Sequence, residues 1–166
     1  NCPGGGLSVI GERCLLSEVS TFSNTGNGAV VLAEVCIVSG SSAVNNTGTG
    51  LRLDGSTISV ADSLLAGNAA GQLWSSGTGS IRRCDIGPGT GDGIEIAAGT
   101  FAIKDNVISG ARDGTGTAVG VRLPNANSSV RKNTFLNNDT ATSLAADSSP
   151  LYEASGLGGE NVLYEE

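Results

Sequence analysis

A short segment of the type Gly–apolar–x–apolar recurs along this chain at nearly constant intervals, and this repeat restricts the fold more than any other feature. Its copies begin at Gly6, Gly28, Gly50, Gly93 and Gly120, and Gln72-Leu73-Trp74-Ser75 is a degenerate copy in the gap. The intervals are 22, 22, 22, 21 and 27 residues, the last one lengthened by an insertion at 111–117. A strand this short cannot bury an apolar face alone, whereas stacked copies form a continuous core. The repeat therefore predicts a solenoid with one coil per copy.

A second apolar element follows the first one in each repeat. Its copies are Ile81–Ile86, Ile103–Ile108 and Val130–Phe135, with a looser copy at Val60–Leu65. Gly, Asn, Ser and Asp separate the elements, which is typical of two or three short strands joined by turns. The alternation of period two places Leu51 and Leu53 inside the coil and Arg52 outside it.

Composition limits the class of protein. The chain has 166 residues and 39% hydrophobic residues, enough for one domain with a real interior. Its net charge of −7 argues against nucleic acid as the main partner. No apolar run approaches the roughly 20 residues of a membrane span. We expect a parallel β-helix with a short N-terminal cap over residues 1–148 and a capping tail over 149–166.

The strand starts and turns resemble those of the pectate-lyase-like superfamily from about Gly6 to Asn138. The resemblance lies in starts such as Gly93-Ile94-Glu95-Ile96 and in the apolar-basic-x-Asn turns at Asn106 and Asn133. It implies an all-β, single-stranded, right-handed parallel β-helix of about six coils. In that superfamily the turn asparagines stack into an internal hydrogen-bonded ladder. The corresponding positions here are Ser63, Cys84, Asn106 and Asn133.

The outward side chains of the first strand are predicted to form a column, which we call the Trp74 column. It consists of Ser8, Val30, Arg52, Trp74, Glu95 and Arg122. An aromatic ring beside charged groups suits a sugar, because the ring contacts C–H faces while its neighbours bind hydroxyls. The column therefore predicts a glycan site at Arg52, Trp74, Glu95 and Arg122. In the alternative interpretation, Arg52 stacks on Trp74 as a cation–π pair and Glu95 pairs with Arg122.

A second column, which we call the cation stripe, contains Arg82, Lys104 and Arg131, with Arg83 and Lys132 beside it. Like charges stacked one strand apart repel each other, so the stripe requires anions. A sulfated or carboxylated glycan would supply them from outside, and Asp62, Asp85 and Asp105 would supply them locally.

The four cysteines have no CxxC spacing, which gives a zinc site little support. Cys14 and Cys36 lie one repeat apart in a column continued by Ile58, so both are predicted to point inward. Their spacing allows a disulfide between coils or two buried free thiols. Cys2 lies in the Gly-rich N-terminal segment, and the pairing of Cys84 stays open as well.

Nothing beyond the fold favours catalysis. The chain has no His, which removes Ser–His and Cys–His nucleophile systems. The resemblance implies Ca²⁺ on outward carboxylates, for which Asp92 and Glu95 are the nearest candidates, yet Ca²⁺ takes about six to eight oxygens. We therefore expect no catalytic residue and no cofactor, with calcium as the alternative.

These patterns favour a non-catalytic β-helix, outside the cell or on a virion, that binds glycan or spaces other domains. The expected partners are carbohydrate, a further copy of the chain or a larger parent protein. Two alternatives stay open: a fragment of a polysaccharide lyase or glycosidase, and a trimeric tailspike-like assembly element.

Overall fold

The computed structural model describes residues 5–123, 128–144 and 162–164, which form strands and turns without a helix. The strands are β1 (Leu7–Ser17), β2 (Ser20–Phe22), β3 (Ala29–Ser39), β4 (Ser42–Val44), β5 (Leu51–Ala61), β6 (Leu64–Ala66), β7 (Leu73–Arg82), β8 (Asp85–Ile86), β9 (Ile94–Lys104), β10 (Val107–Ser109), β11 (Val119–Leu123), β12 (Ser129–Arg131), β13 (Thr134–Leu136), β14 (Thr140–Leu144) and β15 (Val162–Tyr164).

The strands stack in two parallel sheets that share one core. The first sheet has the order β1-β3-β5-β7-β9-β11-β14, with β12 paired to β9, and the second has the order β15-β13-β10-β8-β6-β4-β2. Each strand pairs with its copy one repeat later, as Leu7 with Ala29 and Ala29 with Leu51. The chain is a β-solenoid of about six coils, which confirms the predicted fold class.

The alternation of side chains forms the core as predicted. Leu51 and Leu53 are buried and Arg52 is exposed between them. The alternation breaks where the long strands bend: the register of β5 against β7 shifts between Asp54 and Thr57. Glycine is required at this bend, because a Cβ on Gly77 would collide with the carbonyl of Gly55 in the coil before it.

The predicted asparagine ladder is present in the upper coils, which are the three coils from Gln72 onward. Asn106 and Asn133 are buried, and Asn106 Nδ2 donates to Asn133 Oδ1 at 2.9 Å. The backbone N–H of Cys84 donates to Asn106 Oδ1 at 2.9 Å. Ser63 Oγ continues the column downward by accepting the backbone N–H of Ser41 at 3.3 Å. These bonds satisfy turn groups that burial would otherwise leave unpaired.

A second ladder, which was not predicted from the sequence, runs through the lower coils, which are the three coils of residues 6–71. Asn24 Nδ2 donates to Asn46 Oδ1 at 2.9 Å, and Asn46 Nδ2 donates to Asn68 Oδ1 at 2.9 Å. This ladder explains the glycine that opens most repeats, since a Cβ on Gly50 would lie 2.6 Å from Asn68 Nδ2. The repeated glycine therefore makes room for the neighbouring asparagine.

Gln72 ends this second ladder. The next position of the column is Gly89, which has no side chain to receive Asn68. Gln72 turns into that space: its Oε1 accepts Asn68 Nδ2 at 2.8 Å and its Nε2 donates to the Asn68 carbonyl at 3.0 Å. A Cβ on Gly89 would collide with Gln72 Nε2. In the degenerate repeat, the Gln72 side chain thus replaces the hydrogen bonds that the next asparagine of the ladder would have made.

The cysteines of the described residues are free thiols. Cys14 and Cys36 are in register on β1 and β3 and point inward, as predicted, but they form no disulfide. Burial raises the pKa of the Cys36 thiol to about 12. Cys84 is also buried and free. These side chains pack as small apolar groups, while Cys2 lies outside the described residues.

The upper end of the solenoid receives a strand from the C-terminal region. β15 pairs in parallel with β13, Phe135 being opposite Leu163. Residues 1–4 of the predicted N-terminal cap, and residues 149–161 and 165–166 of the predicted tail (149–166), lie outside the described residues. Within the part that is described, no helix has the length and apolar character needed to cross a membrane.

Candidate functional site

The Trp74 column is in register along the outer face of the first sheet. Ser8 pairs with Val30, Val30 with Arg52, Arg52 with Trp74, Trp74 with Glu95, and Glu95 with Arg122. Strands β1, β3, β5, β7 and β9 each contribute their second residue, and β11 contributes its fourth. Because the flanking side chains are buried, the column faces outward, as the repeat predicted.

Arg52 and Trp74 are in direct contact. The guanidinium carbon of Arg52 lies 4.6 Å from the centroid of the Trp74 ring, which is a cation–π geometry. The Arg52 side chain is exposed and that of Trp74 is half-buried. Neither the guanidinium nor the indole N–H has a hydrogen-bonding partner among the described residues. Arg52 thus covers part of one ring face, and part of the Trp74 side chain stays exposed.

Glu95 lies on the other side of Trp74. Its side chain is half-buried and has no hydrogen-bond donor among the described residues. Loss of solvent raises the pKa of the Glu95 carboxyl, the charge of Asp92 raises it further, and Arg122 opposes both effects. The carboxylate is therefore partly desolvated and available to accept hydrogen bonds from outside.

Arg122, by contrast, is held by its own chain. Its Nε donates to Asp92 Oδ2 at 2.5 Å and its Nη2 donates to Asp92 Oδ1 at 3.0 Å. Asp92 Oδ1 also accepts the backbone N–H of Val119 at 2.8 Å. The ion pair of Arg122 is therefore with Asp92, and the alternative interpretation was wrong in assigning it to Glu95.

The insertion at 111–117 reaches the upper end of the column. Thr117 O accepts Arg122 Nη2 at 3.1 Å. The Asp113 carboxylate fixes the loop by accepting the backbone N–H of Thr115 at 2.8 Å and the hydroxyl of Thr117. These hydrogen bonds lower the pKa of Asp113. Sequence reasoning missed this contact, because an insertion has no counterpart in the other coils.

The cation stripe is also in register: Arg82 pairs with Lys104, and Lys104 pairs with Arg131. Of the local acids that the sequence offered, Asp62 forms a bidentate ion pair with Arg83 at 2.7 and 2.8 Å. Both members of that pair are about half exposed, 51% for Arg83 and 48% for Asp62. The pair lies beside the stripe, and Asp62 acts on Arg82 of the stripe only through space.

An open groove of about 580 Å³ lies at the corner that precedes the first sheet. Its walls are mostly small residues, namely Gly67, Ala69, Pro88, Gly89, Thr90, Gly110, Arg112 and Asn137. Arg112 Nε donates to the carbonyl of Asn137 at 2.8 Å, and Thr90 Oγ1 donates to that of Ala69 at 2.5 Å. Sequence reasoning missed the groove, because small turn residues carry no chemical signal.

The weak metal candidates Asp92 and Glu95 remain two carboxylates without a third. Within the described ranges, no three His, Cys, Asp or Glu side chains converge as a metal site would require. Both oxygens of Asp92 are already bonded to Arg122. Of these two candidates, Glu95 alone has a carboxylate that no hydrogen bond of the described residues engages.

Comparison with known proteins gave one match. A family model described as the right-handed beta helix region matches residues 5–155, which is most of the chain. Neither the curated proteins nor the solved structures contained a significant match.

Proposed function

Since the chain belongs to the right-handed β-helix family, whose fold serves binding proteins and enzymes alike, we propose that it is a non-catalytic solenoid that binds carbohydrate. The proposed site consists of Arg52, Trp74 and Glu95. Arg122, which is held by Asp92, forms the upper edge of this site. The proposal places the protein outside the cell, on a cell surface or a virion, where polysaccharides are found.

The observation that carries the proposal is the free hydrogen-bonding capacity around one aromatic ring. Trp74 presents apolar surface, Arg52 and the indole N–H present donors, and Glu95 presents an acceptor. A sugar ring matches this set, because it has apolar C–H faces and a rim of hydroxyl groups that donate and accept. A partly desolvated carboxylate without a hydrogen-bond donor raises the free energy of the unbound protein. A hydroxyl group of a bound sugar would remove that cost.

The state of Asp92 supports a binding role over hydrolysis. Glycoside hydrolysis by the usual route needs two carboxyl groups free to act on one bond. Asp92 is engaged by Arg122 and by the Val119 N–H, so Glu95 is the single uncommitted carboxylate of the column. A lone carboxylate beside a tryptophan suits recognition of a hydroxyl.

The test is binding to a broad glycan array by the native chain and by Trp74→Ala. Phe22→Ala is the matched control, since Phe22 is an aromatic residue 69% exposed on the other sheet. We expect Trp74→Ala to weaken binding at least tenfold, as loss of a central aromatic contact does, and Phe22→Ala to leave it unchanged. Absence of binding by the native chain, or equal loss in both variants, would overturn the proposal.

An assembly role is the second candidate, and one observation favours it. Large apolar side chains are exposed on the first two coils, including Ile10 at 78%, Leu15 at 68% and Ile37 at 42%. Exposed apolar clusters mark interfaces more often than isolated residues do. The solution mass, measured by light scattering after gel filtration, separates the candidates: a trimer supports assembly, and a monomer at high concentration counts against it.

A further inference from the structure

Positive charge is concentrated at one corner of an otherwise acidic molecule. The chain carries nine lysines and arginines and a net charge of −7. Five of these cations lie in three consecutive coils, at Arg82, Arg83, Lys104, Arg131 and Lys132. This corner is where β7, β9 and β12 end, on the far side of the bend from Trp74.

The strand register stacks the three cations of the stripe above one another. Arg82 pairs with Lys104 and Lys104 with Arg131. They face outward because the residue before each of them is fully buried, these residues being Ile81, Ile103 and Val130. Neighbouring strands lie about 4.8 Å apart, so the stripe repeats a positive charge at that interval.

In the part of the chain that the structure describes, direct ion pairing leaves two lysines of this corner unmatched. Asp62 binds Arg83 directly and acts on Arg82 only through space. Lys104 and Lys132 have no ion pair with any residue that the structure describes. The Nε atom of Arg82 is buried without a hydrogen-bond partner in the same part of the chain. An external anion bound beside Lys104 would reduce the repulsion between the stacked cations.

Hydrogen bonds hold the backbone of the corner in a regular conformation. The turn that follows the stripe is fixed by the bond from Asn106 Nδ2 to Asn133 Oδ1. Arg83 and Lys132 hold left-handed backbone conformations, with φ of 51° and 54°, at equivalent places in their turns. Backbone positions held in this way space the cations regularly, which reduces the entropy lost on binding a regularly charged polymer.

We propose that the cation stripe binds a linear sulfated polysaccharide that runs along the axis of the solenoid. A sulfate ester has three terminal oxygens that point in different directions, so one group accepts from cations of two neighbouring coils. A planar carboxylate instead favours side-on pairing with a single guanidinium. This site is separate from the Trp74 column and does not depend on it.

The experiment measures the affinity of the native chain for dextran sulfate, unsulfated dextran and polygalacturonate at low salt. Lys104→Gln removes the middle charge of the stripe, and Arg13→Gln is the matched control, an exposed arginine of the first coil. We expect binding to dextran sulfate alone, weakened about fivefold by Lys104→Gln with a shallower salt dependence. Arg13→Gln and Trp74→Ala should bind as the native chain does.

Three results would overturn the proposal. Equal weakening by Lys104→Gln and Arg13→Gln would mean that net charge alone is sensed. Equal affinity for polygalacturonate would remove the assignment to sulfate. Failure of the native chain to bind dextran sulfate would remove the site, whatever the glycan array finds for Trp74. Thermal melts of both variants establish that the fold is retained.

Discussion

The three lower coils and the three upper coils follow the same repeat with different strictness. In the lower coils the interval is 22 residues, and Asn24, Asn46 and Asn68 stack in one ladder. In the upper coils the intervals change, Gln72 replaces a glycine and a loop is inserted at 111–117. Trp74, Glu95 and most of the cations lie in the upper coils. Strict periodicity thus accompanies a scaffold, and departures from it accompany the candidate sites.

The largest effect should come from breaking the lower ladder. Asn46→Ala removes the acceptor of Asn24 Nδ2 and one of the two donors to Asn68 Oδ1, and it leaves a cavity in the buried ladder. We expect a loss of about 3 kcal/mol in the free energy of unfolding, measured in urea. Thr47→Ala, at the exposed next position, should change it by less than about 0.5 kcal/mol. A small effect of Asn46→Ala would mean that the ladder does not hold the lower coils.

Restoring the repeat at its degenerate copy should destabilise the protein. Gln72→Gly returns the consensus residue, but it leaves Asn68 Nδ2 with the Ala43 carbonyl as its one remaining acceptor and empties the space over Gly89. We expect a loss of about 2 kcal/mol by the same urea measurement. A gain in stability would contradict this account, because it would show that the hydrogen bonds of Gln72 to Asn68 do not stabilise the fold.

The two Asp–Arg pairs provide a matched comparison of burial. Asp92→Asn breaks the pair with Arg122, whose side chains are 15% and 34% exposed, and should cost about 1 kcal/mol. Asp62→Asn breaks the exposed pair with Arg83 and should cost less than about 0.5 kcal/mol. Equal costs in denaturant titrations would mean that the Asp92 pair does not fix the upper end of the column.

The smallest effect should come from Glu95. Because its pKa is raised in the folded chain, the folded state holds its proton more tightly, and stability falls as pH rises from about 4.5 through the raised pKa. Glu95→Gln should remove this decline and stabilise the protein at pH 7 by about 0.3 kcal/mol, since the group is half exposed. Thermal melts between pH 4 and 7 measure it, and parallel profiles for both proteins would contradict the assignment.

The sequence predicted what depends on periodicity and missed what departs from it. The register of Arg52, Trp74 and Glu95 followed from the Gly–apolar–x–apolar phase alone, as did the inward direction of Cys14 and Cys36. The lower ladder does have a periodic signal in the sequence, namely asparagines 22 residues apart that precede the repeated glycine.

Other features of the site had no periodic signal. The bond from Arg122 to Asp92 depends on the path of an inserted loop. The groove near Arg112 depends on glycines and other small residues that leave space at the surface. Neither repeats from coil to coil, so stacking rules do not predict them. The cation–π contact of Arg52 was predicted only as an alternative. Strand register shows which residues are neighbours but not which rotamers their side chains adopt.

The most direct test of the division between scaffold and site is hydrogen exchange measured by mass spectrometry, with and without the best ligand from the glycan array. The account predicts slower exchange in β7 and β9 around Trp74 and Glu95, with no change in β1 and β3. Slowing confined to β1 and β3 would contradict it, because binding would then belong to the regular coils.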